Sequence, residues 1–155
     1  KKIDNFDPEW KKMIGFVPQD VNLINDNLLN NITLDLNDNF NEERMNEALN
    51  FSQLNDFVKE LPEGLNTHLG DFGNKISGGQ KQRIGIARAI YKKPSIIVLD
   101  ESTNSLDTNL EKEIIDNITK IKENYSSIII SHRDTTIEKC DYIYKLTEGK
   151  IKQIK

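Results

Sequence analysis

The 155-residue chain is 36 % hydrophobic and 30 % charged, enough for one domain or two small lobes and too little for a large multidomain enzyme. A formal net charge of −4 argues against a basic nucleic-acid-binding surface, and no apolar run approaches the roughly 18 residues that cross a bilayer. KKIDNFDPEWKK lacks the apolar core of a signal peptide, and Cys140 stands alone, so no internal disulfide forms and a reducing compartment is expected.

In chain order, KMIGFVPQD (Lys12–Asp20) predicts a short apolar strand that stops at Pro18. The Asn- and Asp-rich stretch that follows predicts a loop with one short helix over Leu28–Ile32. From Asn41, which can cap, to Pro62, the pattern is helical with a break at Phe51-Ser52. LPEGLNTHLGDFGNK, with three glycines and a proline, predicts a loop. A helix then runs from about Gly78 to Lys93 and is stopped by Pro94.

SIIVLDE predicts a parallel strand buried on both faces, with its functional end at the carboxyl terminus. Asp107 or Thr108 caps a helix whose apolar positions are Leu110, Ile114, Ile115, Ile118 and Ile121. SSIIISHRD predicts a second buried strand ending at Ser131-His132. A short helix, TTIEKC, leads to a hairpin turned at Glu148-Gly149. Strand–helix–strand alternation predicts an α/β fold with a parallel sheet, into which a helical lobe over about Asn22–Gly70 is inserted.

Three places carry chemistry. In ISGGQKQRIGIARA, Ser77 and two glycines leave backbone amides uncovered at a helix N-terminus, which attracts phosphate; yet no G-x-x-x-x-G-K-[ST] loop occurs in the chain. Asp100 and Glu101 end a buried strand, where one carboxylate can hold Mg²⁺ through water and the other can orient or deprotonate an attacking water; acids there can also simply cap the next turn. His132 ends the second strand, where an imidazole can bond a phosphate or serve structure alone. His68, in a glycine-rich loop, reads as solvated surface, and Cys140 as a small apolar group.

Five stretches, in this order, resemble the motifs of the ATP-binding cassette (ABC) ATPase family. VPQD resembles the Q-loop with Gln19, and ISGGQKQR resembles the signature with Ile76 where Leu is usual. IIVLDE resembles Walker B, SLD the D-loop, and SH the H-loop with His132. The resemblance implies a partial P-loop NTPase-type fold: strand and Q-loop over 12–20, helical subdomain with signature over 21–93, and Walker B, D-loop, H-loop and C-terminal hairpin over 94–155. It assigns Asp100 and Gln19 to Mg²⁺, Glu101 to the general base, and His132 to the γ-phosphate of ATP. Gln19 would also reach the attacking water.

The same resemblance implies two cassettes paired head to tail. Ser77, Gly78, Gly79 and Gln80 would then meet the γ-phosphate on the opposite subunit, and Asp107 would lie at the same interface. Glycines let backbone amides approach phosphate oxygens. The Walker A loop and the adenine-stacking aromatic are expected upstream of Lys1, so the chain reads as a fragment that alone hydrolyses ATP poorly or not at all. Gly149-Lys150 is a turn, and Ser102 and Asn104 stand where the family more often has Ala and Ser.

THLGDFGNKISGGQ, with Asp71 where Glu is usual, resembles the exporter segment that touches the membrane subunit. The expected partners are therefore a second cassette and an exporter transmembrane domain at the cytoplasmic face of the membrane, without nucleic acid. The alternatives are a soluble DNA- or ribosome-associated ABC ATPase, and a catalytically inert interaction module. Fewer than sixty residues without sustained heptads separate Gln19 from Ser77, which disfavours the coiled-coil chromosome type.

Overall fold

The computed structural model describes residues 8–35, 40–103, 105–120 and 125–155. The expectations at Asn104 and Ile121 lie outside these residues. The first strand is shorter than its apolar pattern: β1 spans Ile14–Val17, and Lys12 instead ends a short helix, α1 (Pro8–Lys12). Helix α2 (Leu28–Thr33) begins at Asn27, whose side chain accepts from the Asn30 amide. The expected helix with a break becomes α3 (Glu42–Phe51) and α4 (Asn55–Glu60), with the Asn41 side chain capping α3 at the Arg44 amide. Two short 3-10 turns, Gly64–Asn66 and Asp71–Gly73, occupy the glycine-rich loop, where His68 is exposed.

Helix α5 (Gly78–Tyr91) leads to β2 (Ile96–Asp100), α6 (Thr108–Lys120), β3 (Ser126–Ile130) and the four-residue α7 (Asp134–Ile137). Asp107 caps α6, its Oδ1 accepting from the amides of Asn109 and Leu110 at 3.1 and 3.0 Å. Strands β4 (Tyr144–Thr147) and β5 (Lys150–Gln153) form the hairpin, with positive φ at Glu148 and Gly149 as a tight two-residue turn requires.

The fold is α/β with a three-stranded parallel sheet in the order β1-β2-β3. Its buried face carries Val17, Ile97 and Leu99, which share one core cluster with Ile84 and Ile90 of α5 and Ile114 and Ile115 of α6. Helices α2 and α3 pack on the other side of α5, so α5 is the common wall of sheet and helical segment. Close approach at β1 requires glycine: a Cβ on Gly15 would lie 2.9 Å from Pro94 Cγ and 3.1 Å from the Ala89 carbonyl.

The opposite sheet face corrects the expectation of strands buried on both sides. The in-register row Phe16–Val98–Ile128 lies there, with Phe16 and Ile128 more than half exposed. Val98 is half-buried, and β3 is exposed at four of its five positions. Among the described residues β3 is an edge strand with an open outer face, so its apolar run has no layer to cover it. No described helix is long and apolar enough to cross a membrane.

Candidate functional site

Parallel strands deliver their carboxyl ends to one edge of a sheet, and the expected chemical residues gather there. Gln19 is exposed two residues beyond β1. Asp100 closes β2, in register with Ile130 at the end of β3. The ladder goes one step further, since the Glu101 amide donates to the Ile130 carbonyl at 3.0 Å. Beyond that bond both chains leave the sheet side by side. Glu101 Oε1 and His132 Nδ1 stand 3.5 Å apart, within ion-pair range when the imidazole is protonated.

Glu101 has φ +46°, the left-handed region that costs a side-chain-bearing residue on the order of 1–3 kcal/mol. This turn directs the carboxylate towards His132, whose side chain is 69 % exposed. Among the described residues no set of three or more His, Cys, Asp or Glu is grouped to hold a metal. Asp100 stands one residue past the Val17–Leu99 pair, at the same end of the sheet as Gln19.

The second group surrounds the start of α5. Ser77 Oγ accepts from the Gln80 amide at 3.2 Å and Gln80 Oε1 accepts from the Ser77 amide at 2.9 Å, a reciprocal capping box. Two of the end's donors are thereby used. The Gly78 and Gly79 amides make no hydrogen bond among the described residues, and Gly78 is exposed. The Ser77 hydroxyl proton and the Gln80 amide NH₂ also stay available.

SLD lies against this end: a Cβ on Gly79 would be 3.1 Å from the Ser105 carbonyl, whereas one on Gly78 would meet Ser105 only at ordinary contact, 3.7 Å. Asp107 is close enough to Arg83 of α5 to oppose the downward pull that burial exerts on that guanidinium. The structure thus gathers Gln19, Asp100, Glu101 and His132 at the strand ends, and Ser77, Gly78, Gly79, Gln80 and Asp107 at the helix end.

Sequence reasoning missed what holds these groups. Gln82, 3 % exposed, donates from Nε2 to the Gln19 carbonyl at 2.6 Å, tying α5 to the segment after β1. Arg88 donates to the carbonyls of Asn22 and Asn31, and the fully buried Asn31 donates to those of Ile24, Asp26 and Asn27 while accepting from the Ile24 amide. Glu111 is buried on α6 among Thr103, Arg133 and Thr136. Its sequence signal was available, since a charged residue at 111 falls on the same stripe as Ile114, Ile115 and Ile118.

The ABC transporter family pattern matches residues 2–104. The ATP-dependent lipid A-core flippases of Coxiella burnetii and Cupriavidus metallidurans are 39 % and 40 % identical over 143 and 145 residues, covering 92 % of this chain and 24 % of each relative. The heavy metal tolerance protein of Schizosaccharomyces pombe is 42 % identical over 141 residues, covering 91 % of this chain and 17 % of that protein. The structure of a bacterial Atm1-family ABC exporter with ATP bound superposes with a TM-score of 0.82 at 36 % identity, over 90 % of this chain and 24 % of that one. The chain therefore spans about a quarter or less of the length of these relatives.

Proposed function

The chain belongs to the ABC transporter family, and from that premise we propose that it is the Q-loop-to-H-loop part of an ATPase domain that drives an exporter. The observation that carries this reading is the pairing of Glu101 with His132 at adjacent strand ends, 3.5 Å apart. Such a pair can take a proton from water and hold it beside a phosphate. The similarity to lipid A-core flippases and to an Atm1-family exporter supports transport over the DNA- or ribosome-associated alternatives.

Bound Mg²⁺ and ATP would supply charge neutralisation and the transferable phosphoryl group. Asp100, with Gln19, would hold the metal through water. Glu101 would accept the proton of the attacking water, and His132 would hydrogen-bond the γ-phosphate. Ser77 and the Gly78 and Gly79 amides would face the γ-phosphate of a second cassette, with Gln80 and Asp107 beside them. An exporter transmembrane domain would be the other partner, at the cytoplasmic face of the membrane; THLGDFG with Asp71 would meet it.

The test is Glu101→Gln in the full-length protein. Losing a general base should slow ATP hydrolysis by roughly two to four orders of magnitude while ATP binding survives. Turnover near the wild-type rate would remove Glu101 from that role.

A further inference from the structure

His132 is placed by its backbone, because its imidazole is 69 % exposed and the ladder that could hold it ends two residues earlier at Ile130. What fixes the chain past that point is a carboxylate two elements away. Glu111 lies on the first turns of α6 and is 3 % exposed. Its Oε1 accepts from Thr136 Oγ1 and from Thr103 Oγ1, each at 2.8 Å, and its Oε2 pairs with the Arg133 guanidinium. Thr103 and Thr136 are themselves 3 % and 1 % exposed.

These three donors come from the two segments that carry the reacting groups. Thr103 follows Glu101 by two residues; Arg133 and Thr136 follow His132 by one and four. Past the Glu101–Ile130 bond the sheet ladder ends, and one carboxylate then fastens both exits to the same helix. A buried carboxylate with three donors from three points is rigid, since moving any one of them costs a hydrogen bond to a charged group shielded from water. Asp107 caps that same helix four residues before Glu111, so the helix also carries the end of SLD.

We propose that Glu111 is a positioning residue: by holding Thr103, Arg133 and Thr136 at once it sets where His132 stands relative to Glu101. The proposal rests on the ATPase reading above. It assigns Glu111 no contact with nucleotide, so its effect should appear in the rate of the bound complex and not in its formation.

The experiment uses the full-length protein with Glu111→Gln, His132→Ala and the double variant, each assayed for ATP hydrolysis with Mg²⁺ and normalised to folded protein. Glu111→Gln should lower kcat by roughly ten- to a hundredfold, since misplacing reacting groups by about 1 Å costs up to about two orders of magnitude, with KM for ATP little changed. The double variant should be no slower than His132→Ala, because the clasp acts through that residue. In nucleotide-free protein, amide exchange of residues 131–137 should quicken while 96–100 stay protected. Should Glu111→Gln fold poorly, Thr136→Val removes one bond at nearly constant volume and should lower kcat by about fivefold.

Multiplying of the two effects in the double variant, or an unchanged kcat in folded Glu111→Gln or Thr136→Val, would overturn the proposal and leave Glu111 a stabiliser only. Unchanged exchange at 131–137 would overturn it as well. Absence of ATP hydrolysis by the full-length parent protein would instead remove the ATPase reading, which separates the two failures.

Discussion

Glu101 and His132, the proposed acid–base groups, lie close to solvent, whereas the Glu111 carboxylate proposed to position them is sealed away. Burial pushes the Glu111 carboxyl up, but its bonds with Arg133, Thr136 and Thr103 outweigh burial and hold it below the ordinary glutamate value of 4.5. A depressed folded pKa stabilises the fold above the unfolded value, and that contribution is lost as pH falls through the folded one. The thermal stability advantage of the full-length protein over its Glu111→Gln variant should therefore be flat near neutrality. It should shrink only on acidification below 4.5. Near neutrality the variant should lose about 1.5–3 kcal/mol, the worth of a charge-assisted hydrogen bond. An advantage that grew on acidification would mean the carboxyl is neutral when folded. At this scale Glu101 and His132 were legible because each follows an apolar run; Glu111 was marked only as a charge on an apolar stripe, and the partners of Gln82 and Glu111 were not legible, since they lie 63 residues away in one case and 8 to 25 in the other.

Helix α5 is the element on which the rest depends. Its start presents the uncovered amides, Gln82 grips the segment after β1, and Arg83 and Arg88 donate to carbonyls of the helical segment at Gln53, Asn22 and Asn31. Gly85 lets that wall close, because a Cβ there would lie 2.6 and 3.1 Å from the two methyls of Val21. A rotation of Val21 that turns its Cβ hydrogen into the 2.6 Å position still leaves a methyl in the 3.1 Å position, so relief is partial. In Gly85→Ala the gain in helix propensity, about 1 kcal/mol, competes with overpacking at about 1–3 kcal/mol, so overpacking should win. Unfolding in denaturant should show a net loss of up to about 2 kcal/mol against the parent, and Gly85→Ala with Val21→Ala should recover most of it. A more stable single variant would show that Val21 moves freely and that α5 does not clamp the Gln19 segment. The boundaries of α5 were legible from Ser77 and Pro94; its contacts with Val21 and Gln19 were not, because nothing in local periodicity says which loop covers a helix face.

At the scale of the whole molecule, the Gly78 and Gly79 amides at the start of α5 have no hydrogen-bond partner among the described residues, and the proposed partner is a phosphate. Gly78→Asp tests where that anion comes from. The substitution is harmless to its own subunit: the added Cβ meets Ser105 at ordinary distance, and a carboxylate at a helix N-terminus is favoured by the dipole. It would nevertheless occupy the approach to the Gly78 and Gly79 amides and repel a phosphate. In the full-length protein carrying Glu101→Gln, Gly78→Asp should abolish ATP-dependent closure of two cassettes, read as a cross-linked or nucleotide-trapped dimer. ATP affinity of a single subunit, measured by titration, should be nearly unchanged. Loss of single-subunit affinity with closure intact would mean that the helix serves its own nucleotide.

Local patterns were enough to place most of the element types and to nominate the candidate site residues. Four apolar residues before Asp100-Glu101, the cap at Ser77, Pro94 after α5 and Glu148-Gly149 in the hairpin each act through backbone preferences that need no distant partner. The order of five short motifs added the family and the intended roles. Tertiary structure alone decided the rest. Register brought Glu101 beside His132, since a parallel ladder pairs Asp100 with Ile130 across about thirty residues of chain. Burial was decided the same way: Ile97 and Leu99 have helices against them and are sealed, while Ile128 and Ile130, equally apolar, lie on an uncovered edge and stay exposed. An apolar side chain states a preference for burial, and only a neighbouring layer can satisfy it.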